Sequence, residues 1–278
     1  MGRSLSPIEV KTINEIITER EWNDHLWGKP IFDRIAEMVG SLEKKERSLV
    51  IKLLEDYLIV KDSQYVPRIE YATKLIDDSY LLDRKDIFML PLLKEEDIGK
   101  VKSSTSIMYD VKRTSSRNGI FTGYRGPVLY DRLDMFAEEE DDRSNALIIL
   151  CDDFVGSGTT AEDAINYFEL NYSIDSDRII VFCLITLKQG LKRIRDNGYK
   201  VVFDSVLSKG ISKSRRFSDP DSALKKMDQI EGRIGVSKEY GRGYKESEGL
   251  VTLKRTPNNT FPVFWYNGQS NWPAAFPR

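Results

Sequence analysis

The stretch LIILCDDFVGSGTTAEDAINYF, residues 147–168, constrains this chain more than any other. An apolar run ends in Asp152 and Asp153, two apolar residues follow, and Gly156, Ser157, Gly158, Thr159 and Thr160 then lead into a segment of helical character. A buried strand, a tight turn of small residues and a helix in that order are the building unit of an α/β sheet. Small residues let backbone N–H groups approach an anion, and the helix N-terminus behind them adds unpaired donors and a favourable dipole. The hydroxyls of Ser157, Thr159 and Thr160 add further donors. The two carboxylates would repel an anion, so they need another partner, and the 2′ and 3′ hydroxyls of a ribose, directly or through Mg²⁺, meet that need. Phosphate at one end and a diol at the other describe a ribose 5-phosphate.

The rest of the chain fits that unit. Residues 87–93, 146–151, 178–185 and 201–206 read as short apolar strands, with helices near 104–112, 160–170 and 188–197 between them. Such alternation implies βαβ units and a doubly wound, mostly parallel sheet, whose ligands sit at the carboxyl ends of the strands near the topological switch point. From Pro7 to about residue 80 the period is helical instead: Ile8, Ile13, Ile16 and Ile17, then Ile31, Ile35 and Met38, then 49–58. Ser6 before Pro7 is a helix cap with proline at the first turn. The expected division is an α-helical N-terminal domain over 1–82 and an α/β domain over 83–278 with an aromatic C-terminal tail.

A plain capped turn needs one acidic or hydroxyl residue rather than this whole string. A dinucleotide fingerprint needs the GxGxxG spacing, which GSGTTA lacks, and a Walker A loop needs a Gly-Lys-Ser/Thr ending. The stretch resembles the signature of type I phosphoribosyltransferases, with Asp152 and Asp153 at the acidic pair, Phe154 and Val155 at the apolar pair, and Gly156 to Thr160 at the phosphate loop. The resemblance covers roughly 86–206 by order of elements. It implies a type I phosphoribosyltransferase fold, phosphoribosyl pyrophosphate or a ribonucleotide as ligand, Mg²⁺ as cofactor, and Asp152 and Asp153 as catalytic residues that meet the metal through ribose or water. Purine salvage members commonly carry aspartate where Gly156 stands here, so the acceptor stays open.

The resemblance also implies a pyrophosphate loop after the first sheet strand. Lys94, Lys100, Lys102, Ser103 and Ser104 are its candidates, with Lys102, Ser103 and Ser104 nearest the helix, against the alternative of a solvated turn. Residues 114–143, with Gly119, Gly123, Gly126 and Pro127, stand where the family carries a flexible flap, and Arg117 and Arg125 are candidate flap cations. Lys209, Lys213, Arg215 and Arg216 form a basic cluster that leaves nucleic acid open as a partner. The apolar tail, with Phe261, Phe264, Trp265, Tyr266 and Trp272, is expected to pack over the sheet or a protein partner. Together with GYKESEGLVTL upstream it is similar to tails of uncharacterised bacterial phosphoribosyltransferase-like proteins, some associated with antiphage defence.

Three function classes follow. The first is a pentosyltransferase or a nucleotide glycosidase acting at the ribose anomeric carbon. The second is a non-catalytic sensor of nucleotide or phosphoribosyl pyrophosphate, and the third is a structural protein. The formal net charge of −2 gives no global pull toward polyanions. One histidine, His25, excludes a histidine-rich metal site and is read as structural. Cys151 and Cys183, each in an apolar run without CxxC spacing, read as buried thiols of a reducing compartment. With no signal-like or membrane-spanning apolar run, the expected location is the cytoplasm.

Overall fold

A computed structural model describes residues 4–22, 29–82, 86–97, 103–119, 121, 125–131, 135–136, 146–172, 174–268 and 271–278. The chain packs as two compact units, Lys61–Leu207 and the combination of Met1–Val60 with Ser208–Arg278. This differs from a division at 82 and 83: the fourth helix joins the sheet, and the C-terminal seventy residues or so join the N-terminal helices.

The Lys61–Leu207 unit is α/β. Its five strands are β2 (Asp86–Pro91), β3 (Arg125–Leu129), β4 (Ala146–Val155), β5 (Ile179–Leu187) and β6 (Lys200–Leu207). They lie in the order β3-β2-β4-β5-β6, every neighbour parallel. Helices α4 (Asp62–Thr73), α5 (Ser103–Arg117), α6 (Thr159–Tyr172) and α7 (Lys188–Asp196) cover the sheet. Both faces are covered, which is why β4 and β5 read as unbroken apolar runs rather than alternating ones. One face packs Ile148, Leu150, Val181 and Cys183 against Ala161, Ile165, Phe168 and Ile194 of α6 and α7. On the other, α5 lies on β2 and β4, and α4 on β5 and β6. Cys151 and Cys183 are free and buried; Cys151 pairs with Phe182 and Cys183 with Asp152, so the two thiols leave the sheet on opposite faces.

The strand β3 falls inside the segment expected to form a flap. Gly126 and Pro127 are tolerable there because β3 is an edge strand, whose outer side needs no ladder donors. Gly123 and the acidic run over 138–142 lie outside the described residues.

The other unit gathers α1 (Pro7–Glu19), α2 (Ile31–Gly40), α3 (Lys44–Leu54), β1 (Leu58–Ile59), α8 (Pro220–Arg233) and β7 (Val251–Thr252). Helix α1 starts as expected: Ser6 Oγ accepts from Glu9 N at 3.3 Å and Glu9 returns the bond to Ser6 N at 2.7 Å. The tail is core of this unit. Phe276 stacks on Tyr57 at 4.5 Å and meets Trp22 edge-on, Phe264 packs on Tyr57 at 4.8 Å, and β1 pairs in parallel with β7. The polar edges of the aromatic residues find backbone partners, Trp265 Nε1 on Thr260 O and Trp272 Nε1 on Val263 O, both at 2.7 Å.

Glu231 on α8 is buried with one oxygen held by the Arg242 N–H at 2.7 Å and the other without a partner among the described residues. Burial pushes its carboxyl from 4.5 up to about 8, with the Asp228 charge adding to the rise and the Arg242 hydrogen bond opposing it. A folded-state value above the unfolded one means that stability is full below about pH 4.5 and declines as pH rises toward 8. Urea denaturation should therefore show this decline, on the order of a few kcal/mol, and Glu231→Gln should flatten it. An unchanged slope in the variant would remove Glu231 as its source.

Candidate functional site

The strand order reverses between β2 and β4: the chain goes outward from β2 to β3, then returns to run through β4, β5 and β6. The crevice at the carboxyl ends of β2 and β4 is therefore the switch point at which sheets of this kind take ligands. The N-terminus of α5 follows β2, and the acidic pair and glycine turn lie at the end of β4.

Both aspartates belong to β4 itself, which continues to Val155 because β5 keeps pairing with it through Phe154–Ile185 and Val155–Thr186. Alternation then sends the two side chains to opposite faces. Asp152 folds back so that Oδ1 accepts the Asp153 N–H at 2.8 Å. Asp153, only 5% exposed, lies on the α4 and α5 side. There Ser103 Oγ donates to its Oδ1 at 3.1 Å and the Tyr65 hydroxyl to its Oδ2 at 3.3 Å. Burial raises both carboxyls above the ordinary range. Asp152 rises further because the Asp153 charge also disfavours its ionisation, whereas hydrogen bonds from Asp152, Ser103 and Tyr65 restrain Asp153.

Tyr65 escaped the sequence reading because it lies on a helix assigned to another domain. The helix carrying it is fixed by Arg68, one turn on, which pairs with Asp204 of β6. Asp204 also accepts from Ser205 Oγ at 2.7 Å.

The turn over 156–158 and the start of α6 form one small cradle. Gly158 has φ +79°, a conformation that favours glycine. Ser157 Oγ and Thr159 Oγ1 are 3.1 Å apart, and Thr159 N reaches Ser157 Oγ at 3.4 Å. Thr160 is half-buried in the first turn of α6. The glycines have a second reason to be small. A Cβ on Gly158 would stand 2.9 Å from the Gly190 carbonyl oxygen, and a Cβ on Gly190 would stand 2.4 Å from the Gly156 carbonyl oxygen. The turn thus lies against α7 with no room for a side chain between them. From the same helix, Arg193 Nη1 donates to Thr159 Oγ1 at 2.8 Å. Gly190 and Arg193 were not singled out from sequence, because nothing in LKQGLKRIRD says that this helix touches the turn.

At the N-terminus of α5, Ser104 is 1% exposed and its Oγ has no hydrogen-bond partner among the described residues. Lys100 and Lys102 lie outside the described residues, so the expected loop is represented by Ser103 and Ser104. Lys94 reaches α6 instead, 3.1 Å from Asp163. Arg117 is exposed at the end of α5; His25 and the Arg125 side chain are not among the described groups. In the basic cluster, Arg216 is held by Asp56 at 2.7 Å and by Glu55, and Lys209 by the Glu246 carbonyl at 2.6 Å. Those two cations serve the packing of their own unit. Among the described residues no group of three or more His, Cys, Asp or Glu side chains is arranged to hold a metal ion, and no helix is long and apolar enough to cross a membrane.

The sequence matches the family model PRTase-CE over residues 32–278. The chain belongs to the PRTase-CE family. That match includes the sheet unit, α8 and the aromatic tail, and begins inside α2. Among solved structures, a hypoxanthine-guanine phosphoribosyltransferase from Schistosoma mansoni in complex with IMP is similar at TM-score 0.34 and 16% identity, over 54% of this chain and 68% of that one. The AQ2163 protein from Aquifex aeolicus is similar at TM-score 0.35 and 12% identity, over 75% of this chain and 88% of that one. No curated protein sequence matches the chain. PRTase-CE membership and the parallel sheet agree with the α/β fold and the phosphoribosyltransferase-like character expected from the motif.

The contact between the turn and α7 gives a direct test. Gly190→Ala should cost about 1–3 kcal/mol in thermal or urea denaturation, since the new methyl meets backbone that cannot swing away. Gly232→Ala on α8, with nothing within 4 Å of its Cβ, is the control and should not destabilise. Equal stability of Gly190→Ala and the parent would mean that the close approach is absent.

Proposed function

We propose that this PRTase-CE protein binds phosphoribosyl pyrophosphate or a ribonucleoside 5′-phosphate together with Mg²⁺ at the carboxyl ends of β2 and β4, and acts at the ribose anomeric carbon. The observation that carries the reading is the meeting, at one switch point, of a small-residue turn opening α6, the acidic pair of β4 and the serine-bearing start of α5. The turn and Ser157, Thr159 and Thr160 would take the 5′-phosphate. Asp152 and Asp153 would take the ribose hydroxyls, and Ser103 and Ser104, with Lys102 before them, the pyrophosphate. The orphaned Ser104 hydroxyl suits a ligand acceptor at that place.

The donor set suits Mg²⁺ only as an ion shared with the ligand. Asp152 and Asp153 offer hard oxygen atoms but no third carboxylate among the described residues joins them, and Mg²⁺ characteristically binds through one or two carboxylates plus substrate phosphates. When bound it would offset charge on the departing pyrophosphate. The chain's own share is geometry: the turn would hold the 5′-phosphate and the acidic pair would orient the ribose beside the cationic carbon. In transfer, the acceptor forms a bond to C1′ as the C1′–O bond to pyrophosphate breaks; in nucleotide cleavage, water forms that bond as the base departs.

A second reading, a non-catalytic sensor, is favoured by one observation. Both oxygens of Asp153 already accept protein hydroxyls, from Tyr65 and Ser103, which leaves this carboxylate less available to a metal ion or a reacting ligand. A place in the cytoplasm agrees with two unpaired cysteines, and a defence role rests on the tail resemblance alone.

Heating the protein with Mg²⁺ and phosphoribosyl pyrophosphate or a ribonucleoside 5′-monophosphate should raise its stability by about 2.7 kcal/mol at ~100 times the dissociation constant. Absence of any shift at millimolar ligand would sink the assignment. Release of pyrophosphate or free base over time separates enzyme from sensor.

Replacing Asp152 and Asp153 together by Asn should leave inorganic phosphate binding intact and abolish the preference for ribose 5-phosphate and its Mg²⁺ dependence. Full ribonucleotide affinity in that variant, measured by calorimetry, would make the pair a structural element only.

A further inference from the structure

We infer that Arg193, on α7, is the charged residue of the phosphate cradle, a role that rests on the proposed ribose 5-phosphate site. The close approach of Gly190 to Gly156 and Gly158 fixes α7 as one wall of the turn. Arg193 lies three residues further along that helix, hence on the same face, and its Cβ is 3.3 Å from the position a Cβ on Gly158 would take. The wall that excludes side chains at Gly190 therefore delivers a guanidinium to the rim.

The contacts of that guanidinium are one-sided. Nη1 donates to Thr159 Oγ1 at 2.8 Å and stands 3.5 Å from Glu162 Oε2, while Nε and Nη2 make no hydrogen bond among the described residues. With the side chain 39% exposed, these donors are accessible to a ligand. An arginine has five N–H donors in a planar fork that matches two oxygens of a phosphate.

The bond to Thr159 also ties the guanidinium to the hydroxyls of the turn, since Thr159 Oγ1 accepts from Arg193 and lies 3.1 Å from Ser157 Oγ, a pair in which either hydroxyl can donate. A charged donor on Thr159 polarises the hydroxyls it meets. An isolated helix N-terminus would provide partial charge only; Arg193 provides a full one. Glu162 in the first turn of α6 balances it when no anion is present.

Calorimetric titration of ribose 5-phosphate, with and without added NaCl, into the parent protein, Arg193→Gln and Arg193→Lys tests the role. The parent should bind, with affinity falling as salt rises. Arg193→Gln should bind roughly 10- to 100-fold more weakly, the loss expected for a hydrogen-bonded charge, and with a shallower salt dependence, while Arg193→Lys should retain part of the affinity. A structural tie alone would lower the unliganded melting temperature without changing the salt dependence. If Arg193→Gln does not fold, Arg193→Lys decides: affinity equal to that of the parent overturns the fork. Parent-like binding and salt dependence in Arg193→Gln overturn the inference and leave the site standing, whereas no binding of ribose 5-phosphate by the parent overturns both.

Discussion

Two adjacent carboxylates inside the central strand of a covered parallel sheet are the constraint around which the sheet unit is arranged. β4 has neighbours on both edges and helices on both faces, so an ionised group there loses much of its water, Asp153 nearly all of it and the half-buried Asp152 less. No ion pair reaches Asp152 or Asp153 among the described residues, and compensation comes from a backbone N–H and two hydroxyls instead. Those hydroxyls come from α4 and α5, so the fourth helix, whose sequence groups it with the N-terminal helices, is drawn onto the sheet and tied there by Arg68 and Asp204. Under the proposed function, acids held in this way call for a ligand that brings neutral hydroxyl donors to them and keeps its own negative charge at the glycine turn a few residues away, as a phosphorylated sugar does.

The sheet was legible because burial on both faces writes itself as uninterrupted apolar runs, and β2, β4 and β5 lie where those runs lie. The glycine turn was legible because glycines and hydroxyls between a strand and a helix have few other uses. What escaped depended on distant contacts. β3 carries Gly126 and Pro127, which argue against a strand unless it is known to lie at an edge. Helix α8 has an Asp219 cap and Pro220 at its first turn, but it follows a run of lysines and arginines that reads as loop. Tyr65, Gly190 and Arg193 acquire meaning only from what the fold sets beside them, since neither helix period nor composition distinguishes them from neighbours.

The small residues at 156–158 have a packing cause besides the proposed one. Closeness to Gly190 demands glycine at 158, as the proposed phosphate would, so a substitution there would disturb both at once. Substitutions of the acidic pair and of Arg193 separate chemistry from packing better than substitutions of the turn.

The unit made from residues 1–60 and 208–278 closes through contacts between remote parts of the chain, with the whole sheet unit lying between them in sequence. During synthesis, β1 emerges long before β7; at typical elongation rates of ~5–20 residues per second, the wait over about 190 residues is roughly 10–40 s. Over that interval Tyr57, Leu49 and Ile35 have no aromatic tail to bury them, while the strands of the sheet are made one after another and are all synthesised before the tail. The order of completion thus departs from the order of synthesis: the inserted body can mature first, and the unit begun by the helices that precede it is completed last. A nascent chain halted before Phe264 would expose a greasy helical surface of the kind that chaperones recognise.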